Sequence, residues 1–537
     1  MATATELPID TTATATQMAQ EMFGNGITLV SASYTGATGA SGIYSGGDAI
    51  APGITPSDTG VVLSTGKVVD LTNSSGTGDT NTRADLSTNN ATAGDAQLTA
   101  VSGMQTYDAA VLTADFIPVG STLTMQLVFS SDEYLEYVGG GFNDAVGVWV
   151  NGVQATLTIG SGEISIDTIN PTTNKNLYVD NAATADTYNT EMDGFTVTLT
   201  LKAPVNPGVV NTIKIGIADG GDQFYDSNLL IAGNSVQTQL IAGDDTISMH
   251  QGQDPTEYDL LANDTSPAGT LSIIEINNQP VTAGQQITLN TGEVLELTPT
   301  GFVLISPGAS PADHFFTYTV MDGAGNTDVG IVQLTTTPCF AAGTRILTPR
   351  GERAVETLRP GDLVVTLDHG PRPLLWVGQS ARSWRGRDSP VEIAPGTLGA
   401  LRPTRLSPLH RVMLRDARAE LLFAAPGGEV LLRARDLVNQ TTITRHDRGG
   451  TVLYVHLMLA THEILIANGI LTESFQPGPQ AQASFDPAAR AALSRLMHRP
   501  ALRHMPAARP TLRPHEAALL TTNAKEPRQP MPARPHV

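Results

Sequence analysis

The chain has 537 residues, 40% hydrophobic, 5% aromatic and 15% charged, with 52 Gly, 34 Pro and one Cys. Two to four domains with cores of their own fit that length, while one Cys excludes a disulfide framework or a multi-thiolate metal site. Residues 1–338 carry 5 Lys/Arg against 36 Asp/Glu and residues 339–537 carry 26 against 16, so a chain of net charge −21 changes sign at its only Cys, and its acidic half repels phosphates and excludes nucleic-acid binding.

Residues 1–26 are Ala/Thr-rich with little pattern and are expected to form a flexible leader. The first thirty residues contain no Lys or Arg and no continuous apolar core, so no Sec-type signal peptide is expected. No run of about 18 apolar residues occurs anywhere, so no transmembrane segment is expected.

Residues 27–239 read as β throughout. Phe195, Val197, Leu199 and Leu201 alternate with Thr, and Ile213, Ile215 and Ile217 alternate likewise, which is the period of half-buried strands. Val148, Val150 and Val153 flank a turn at Asn151-Gly152. Short strands between Gly and Asn/Asp clusters predict a jelly-roll-like β-sandwich. Ser130-Ser131-Asp132-Glu133-Tyr134, Phe142-Asn143-Asp144 and Asp219-Gly220-Gly221-Asp222-Gln223-Phe224-Tyr225-Asp226 place carboxylates at strand ends and in a Gly-rich turn. These segments resemble the bacterial choice-of-anchor L domain, a surface-protein module. Oxygen-rich loops suit Ca²⁺, so Asp132, Glu133, Asp144, Asp219, Asp222 and Asp226 are candidate ligands; solvated turn and strand-end charge explains them as well.

Residues 240–337 predict a second sandwich, with turn signals every 8–12 residues. Through Leu260-Leu261-Ala262-Asn263-Asp264 and the strand from Phe315 to Asp322 the unit resembles the Ig/cadherin-like repeats of large secreted bacterial proteins. Residues 338–478 form a third β-rich unit. In the Pro/Arg-rich tail, residues 479–537, Asp486-Pro487 is expected to cap a short helix bearing Ala489, Leu493 and Leu496, with the remainder disordered.

Cys339 stands at the border. A lone Cys is often an inert small hydrophobe, but at the first residue of a domain its thiol can attack the carbonyl just upstream. Three blocks follow in order: Cys339-Phe340-Ala341-Ala342-Gly343-Thr344, then Ser407-Pro408-Leu409-His410, then Tyr454-Val455-His456 with His462-Glu463 and Ala467-Asn468-Gly469. Over about 140 residues this resembles the bacterial Hedgehog/intein (Hint) autoprocessing domain, an all-β horseshoe. The resemblance implies cleavage at Pro338–Cys339 by an N-to-S acyl shift. His410 donates a proton to the scissile nitrogen, and Ser407 donates or relays at the family's Thr position. His462 and His456 are candidates for a second step or for structural roles on strands. An intein ends in His-Asn; Glu473 and Ser474 stand there instead, so splicing is not expected. Pro338 replaces the Gly of Hedgehog and crowds the attacked carbonyl.

The expectation is therefore an all-β, secreted or cell-surface bacterial protein that cleaves itself once, with no cofactor for that step. Water or an unknown nucleophile accepts the acyl group, and an unknown extracellular ligand meets the N-terminal part. The competing reading is a surface adhesion or structural protein with an inert Hint domain. A hydrolase in the N-terminal half is disfavoured, since it has no Gly-x-Ser-x-Gly or His-Glu-x-x-His and only His250 before residue 300.

Overall fold

A computed structural model describes residues 4–73, 81, 86–155, 157, 159, 163–182, 187–249, 255–307, 314–336, 339–384, 389–423, 425–445, 449–475, 492–493, 495–496, 505, 507–512 and 514–521. The architecture is all-β. The N-terminal domain packs two sheets face to face. One runs Ile9–Asp10, Ser41–Ser45, Thr59–Ser64, Ser227–Ala232, Thr122–Ser131, Gly194–Thr196 and Tyr178–Asp180, with Leu199–Pro204 also paired to Thr122–Ser131. The other runs Ile27–Thr35, Thr106–Pro118, Asn211–Gly220, Ala145–Val150 and Val153–Ala155. Ile213, Ile215 and Ile217 face the shared core with Val148, Leu112 and Phe129. The hairpin turns at Asn151 and Gly152, both at positive φ (52° and 78°), which the predicted Asn-Gly turn requires.

Two expectations change here. The residues from Phe195 to Leu201 are buried on both faces, Thr196, Thr198 and Thr200 included. Side chains cover the outer face of this sheet: Phe195 packs with Tyr44, Val62 and Leu230 in a second core, and the Thr198 N–H donates to Asn278 of the middle domain. The flexible leader is also overturned. Ile9–Asp10 pairs with Ser41–Ser45, and Ala15–Met22 is a helix. Thr14 and Gln17 close a capping box at its start, and Met18, Ala19 and Met22 lie buried against the sandwich, so a short helix of modest propensity is held by packing.

The middle domain is a sandwich of a five-stranded and a four-stranded sheet around Tyr258, Phe302, Phe316 and Tyr318. Lys202 of the first domain pairs with Asp244 of the second at 2.6 Å, and Asn176 bonds Thr291, so the two domains are joined by polar contacts as well as by chain.

In the third domain a six-stranded sheet runs Trp376–Ser383, Thr451–Met458, Phe340–Ala341, Thr404–Leu406, Val391–Ile393 and Ile443–Arg445. A second sheet runs Gly351–Ala354, Arg345–Thr348, Ile464–Ala467, Ile470–Glu473, Arg411–Arg415 and Glu429–Arg433; Leu363–Thr366 and Gly370–Pro373 attach to its middle. The tail departs from the expected disorder. Thr511 bridges Leu431, and Pro514–Thr521 is a helix, with Leu512, Ala517 and Leu520 entering the domain core because they are the apolar residues of an otherwise Pro/Arg-rich stretch. Leu493 is buried beside Trp376, whereas the predicted cap at Asp486-Pro487 lies outside the described residues.

Gly60 sits where a Cβ would stand 2.2 Å from the Ile231 carbonyl oxygen and 2.4 Å from the Tyr44 hydroxyl. Gly60→Ala is expected to destabilise the N-terminal sandwich by about 2 kcal/mol, read as a lower first transition in calorimetry; an unchanged melt contradicts this packing.

Candidate active site at Cys339

Backbone register builds the site. Phe340 pairs with Leu406 on one side and Val455 on the other. Cys339, one residue earlier, therefore stands opposite Ser407 and His456, the residues next to those partners. The Cys339 N–H donates to the Ser407 hydroxyl at 2.8 Å, and the Ser407 N–H donates back to the Cys339 carbonyl at 3.0 Å. Cys339 Sγ lies 3.4 Å from His456 Nε2. The thiol is 7% exposed, in a patch with Ala341, Val452 and Tyr454. His456 is buried in a cluster of three rings with Trp376 and Phe475, at 6.4 and 5.6 Å, and those two pack on each other at 5.4 Å.

His410 closes the turn that follows Ser407, its N–H donating to the Ser407 carbonyl at 3.0 Å. Its ring lies 4.4 Å from the Phe340 ring, centre to centre, and beside the Cys339 backbone. Neither ring nitrogen has a hydrogen-bond partner of ordinary geometry among the described residues. Burial lowers its proton affinity to a pKa of about 4, against the opposing pull of the Glu473 carboxylate and the Cys339 backbone. A buried imidazole next to a backbone amide, with neither nitrogen in a hydrogen bond of ordinary geometry among the described residues, can deliver or take a proton there.

Arg411 then enters the second sheet, where its N–H donates to Glu473 Oε1 at 2.8 Å and its guanidinium to Oε2 at 3.1 Å. His462 Nε2 is 3.3 Å from the same Oε2. Burial pushes Glu473 up, but Arg411, His462 and His410 outweigh it and hold it near 2. Ser474 is tied down as well, its hydroxyl accepting the Glu463 N–H at 2.9 Å.

Cys339, Ser407 and His410 thus lie together, with the Ser407 hydroxyl accepting the Cys339 N–H. His456, read as a second-step or structural residue, is the imidazole at the thiol, and His462 lies with Glu473 below His410. Arg411 and Glu473 were missed as functional groups; the only signal was Glu473 standing where an intein has His. Pro338 lies outside the described residues.

The acidic candidates of the first domain are drawn together differently. Ala145 pairs with Ala218, so Asp144 and Asp219 flank that pair on adjacent strands. Asp132, Glu133, Asp144, Asp219 and Asp226 are buried, while Asp222 is partly exposed and caps its turn by accepting the Phe224 N–H. Burial first, then mutual repulsion, raises the pKa of Glu133, Asp144 and Asp219. Among the described residues no group of three or more His, Cys, Asp or Glu is arranged to hold a metal ion, and no helix is long and apolar enough to cross a membrane.

Residues 338–479 match the Hint domain, residues 6–237 the choice-of-anchor L domain and residues 237–335 the bacterial Ig domain. Among solved structures, the gp41-1 intein is similar at 18% identity, covering 25% of this chain and 97% of its own, with a TM-score of 0.17. The MchDnaB-1 intein is similar at 17% identity, covering 25% of this chain and 98% of its own, with a TM-score of 0.17. No curated protein matches. The chain is a Hint domain protein with N-terminal choice-of-anchor L and Ig-like domains, and its third domain is of autoprocessing type.

Burial of His410 and Glu473 gives acid sensitivity with a definite sign. His410 binds a proton near 6.5 in the unfolded chain but near 4 in the fold, so stability falls as pH drops from 6.5 to 4, by about 3 kcal/mol in all. Glu473 contributes stability that is present above 4.5 and lost as pH falls toward 2. In urea unfolding of Cys339→Ala followed by tryptophan emission, His410→Gln is expected to flatten the upper window only; equal slopes with and without His410 contradict this burial.

Proposed function

We propose that the third domain cuts the backbone on the amino side of Cys339, once per chain, and releases the two domains before it. The observation that carries this reading is the thiol at 3.4 Å from an imidazole, with its own amide N–H held by Ser407 and the unpartnered His410 beside that backbone. Sγ forms a bond to the carbonyl carbon of residue 338, the C–N bond to Cys339 breaks, and a thioester and a free α-amine result. One proton moves from sulfur to nitrogen. His456 takes it from the thiol, since the thiolate is the nucleophile. His410, first protonated from solvent, delivers one to the departing nitrogen, and His456 returns the thiol proton to solvent, so the net change is one proton from sulfur to nitrogen; the low proton affinity of His410 makes its transient imidazolium a strong acid, and Glu473 steadies that charge. Ser407 accepts the N–H of the nitrogen being released and so fixes its direction. Water or another nucleophile then cleaves the thioester.

Splicing is not part of this reading. Glu473 and Ser474 stand in place of a cyclising His-Asn pair, and both are engaged by Arg411 and Glu463. The choice-of-anchor L match and the acidity of residues 1–338 support a surface or extracellular location for the released part, where its ligand is to be sought.

Purified chain is expected to yield fragments ending at Pro338 and beginning at Cys339 by intact mass, faster with dithiothreitol or hydroxylamine. Cys339→Ala abolishes the cut, and His410→Ala and His456→Ala each slow it by roughly 10²–10⁴. A wild-type chain that stays whole under both reagents overturns the proposal in favour of an inert domain.

A further inference from the structure

The tail beyond the Hint match is bound to the domain it follows. Arg509 pairs with Asp368 at 2.6 Å and with Glu429 at 2.6 Å. The Leu431 N–H donates to the Pro510 carbonyl at 2.8 Å, and the Leu512 N–H to the Leu431 carbonyl at 3.0 Å. Arg418 donates to the carbonyls of Leu519 and Leu520 at 2.9 and 2.7 Å. Met505 and Leu493 pack with Trp376 and Phe475, the two rings that flank His456. So the clasp reaches the rings beside His456.

Its closest approach is specific. The Ala508 N–H donates to His462 Nδ1 at 2.9 Å, on a ring whose side chain is fully buried. A nitrogen that accepts an N–H bond carries no proton, so the neutral ring holds its proton on Nε2, which lies 3.3 Å from Glu473 Oε2, close enough for attraction though not aligned as a hydrogen bond. With the proton on Nδ1 instead, Nε2 would bring a bare lone pair to that distance from the carboxylate.

We propose that Ala508 is a positioning residue for self-cleavage: its backbone amide fixes the His462 tautomer, which keeps Nε2–H against the Glu473 carboxylate beside His410. The processing unit therefore extends to residue 521, with the tail as one of its working parts. The effect on rate rests on the self-cleavage reading; the effect on the tautomer does not.

Ala508→Pro removes the N–H from an otherwise complete chain, and Ala508→Gly keeps it. In a Cys339→Ala background with ¹⁵N-labelled histidine, and His462 assigned by loss in His462→Gln, the wild-type ring is expected to show the single Nε2–H tautomer. Ala508→Pro shows a mixture, and the conservative Ala508→Gly rescues the single form. With Cys339 restored, Ala508→Pro slows cleavage about tenfold and shifts its pH profile, and Ala508→Gly recovers both. Arg509→Ala, which loosens the clasp without a proline, gives a smaller change in the same direction and serves if Ala508→Pro does not fold. An unchanged His462 tautomer in Ala508→Pro or, where that variant does not fold, in Arg509→Ala overturns the proposal, and so does an altered tautomer with an unaltered rate and pH profile. A wild type that never cleaves, yet shows the tautomer switch, sinks the self-cleavage reading and the effect on rate while leaving the amide contact established.

Discussion

One residue, Phe340, is hydrogen-bonded as a strand to two neighbours at once, Leu406 and Val455. That double pairing fixes where the preceding thiol lies. A strand slipped by one residue turns every side chain to the other face. Cys339 would then leave both Ser407 and His456 together. Phe340 and its partners Leu406 and Val455 are fully buried, so the slip exposes apolar surface that the core cannot give up. Hydrophobic burial thereby enforces a polar geometry that none of the polar groups could hold alone.

The same chain segment joins the two sheets. After Leu406 it turns through Ser407 to His410 and enters the second sheet at Arg411. Burying the Glu473 carboxylate is costly, since no water reaches it. Arg411 offsets that cost by meeting Glu473 twice, through backbone N–H and guanidinium. The ion pair fastens the end of the turn, and the turn carries His410. A scaffold contact and the electrostatic surroundings of His410 are thus one structure.

The fold class and the domain order were legible because alternation, turn residues and the change of charge all report local chemistry. Ser407 and His410 were legible because they lie in one short motif, and Cys339 because it stands where the charge changes sign, although the pairing that joins it to Ser407 spans 68 residues. The place of His456 was not, since it depends on a strand pairing 117 residues apart, which no local pattern encodes. The helix Ala15–Met22 was missed because it is only eight residues long, and its stability comes from the sandwich that Met18 and Met22 cover. The tail was misread for the opposite reason: its Pro and Arg content suggests solvent, while Leu512, Ala517 and Leu520 find a groove that only the folded domain supplies. Thr196 and Thr198 look like solvent-facing strand residues, but Thr196 accepts the Phe129 N–H of its own sheet and Thr198 meets Asn278 of the middle domain.

Burial acts on titratable groups in opposite directions at the two ends of the chain. In the third domain it strips His410 of its ordinary proton affinity, and the ring sits neutral with both nitrogens open. In the first domain it raises the proton affinity of Glu133, Asp144 and Asp219, because a carboxylate deep among other carboxylates is poorly solvated and repelled by its neighbours. The difference lies in the partners. Residues 1–338 have few basic side chains, and Lys202 and Lys214 are committed to Asp244 and Asp95. The third domain is rich in Arg, and there Arg411 holds the pKa of buried Glu473 down, where burial raises that of Glu133, Asp144 and Asp219 in the first domain. The change of charge at residue 339 therefore sets which protonation states each buried site can hold.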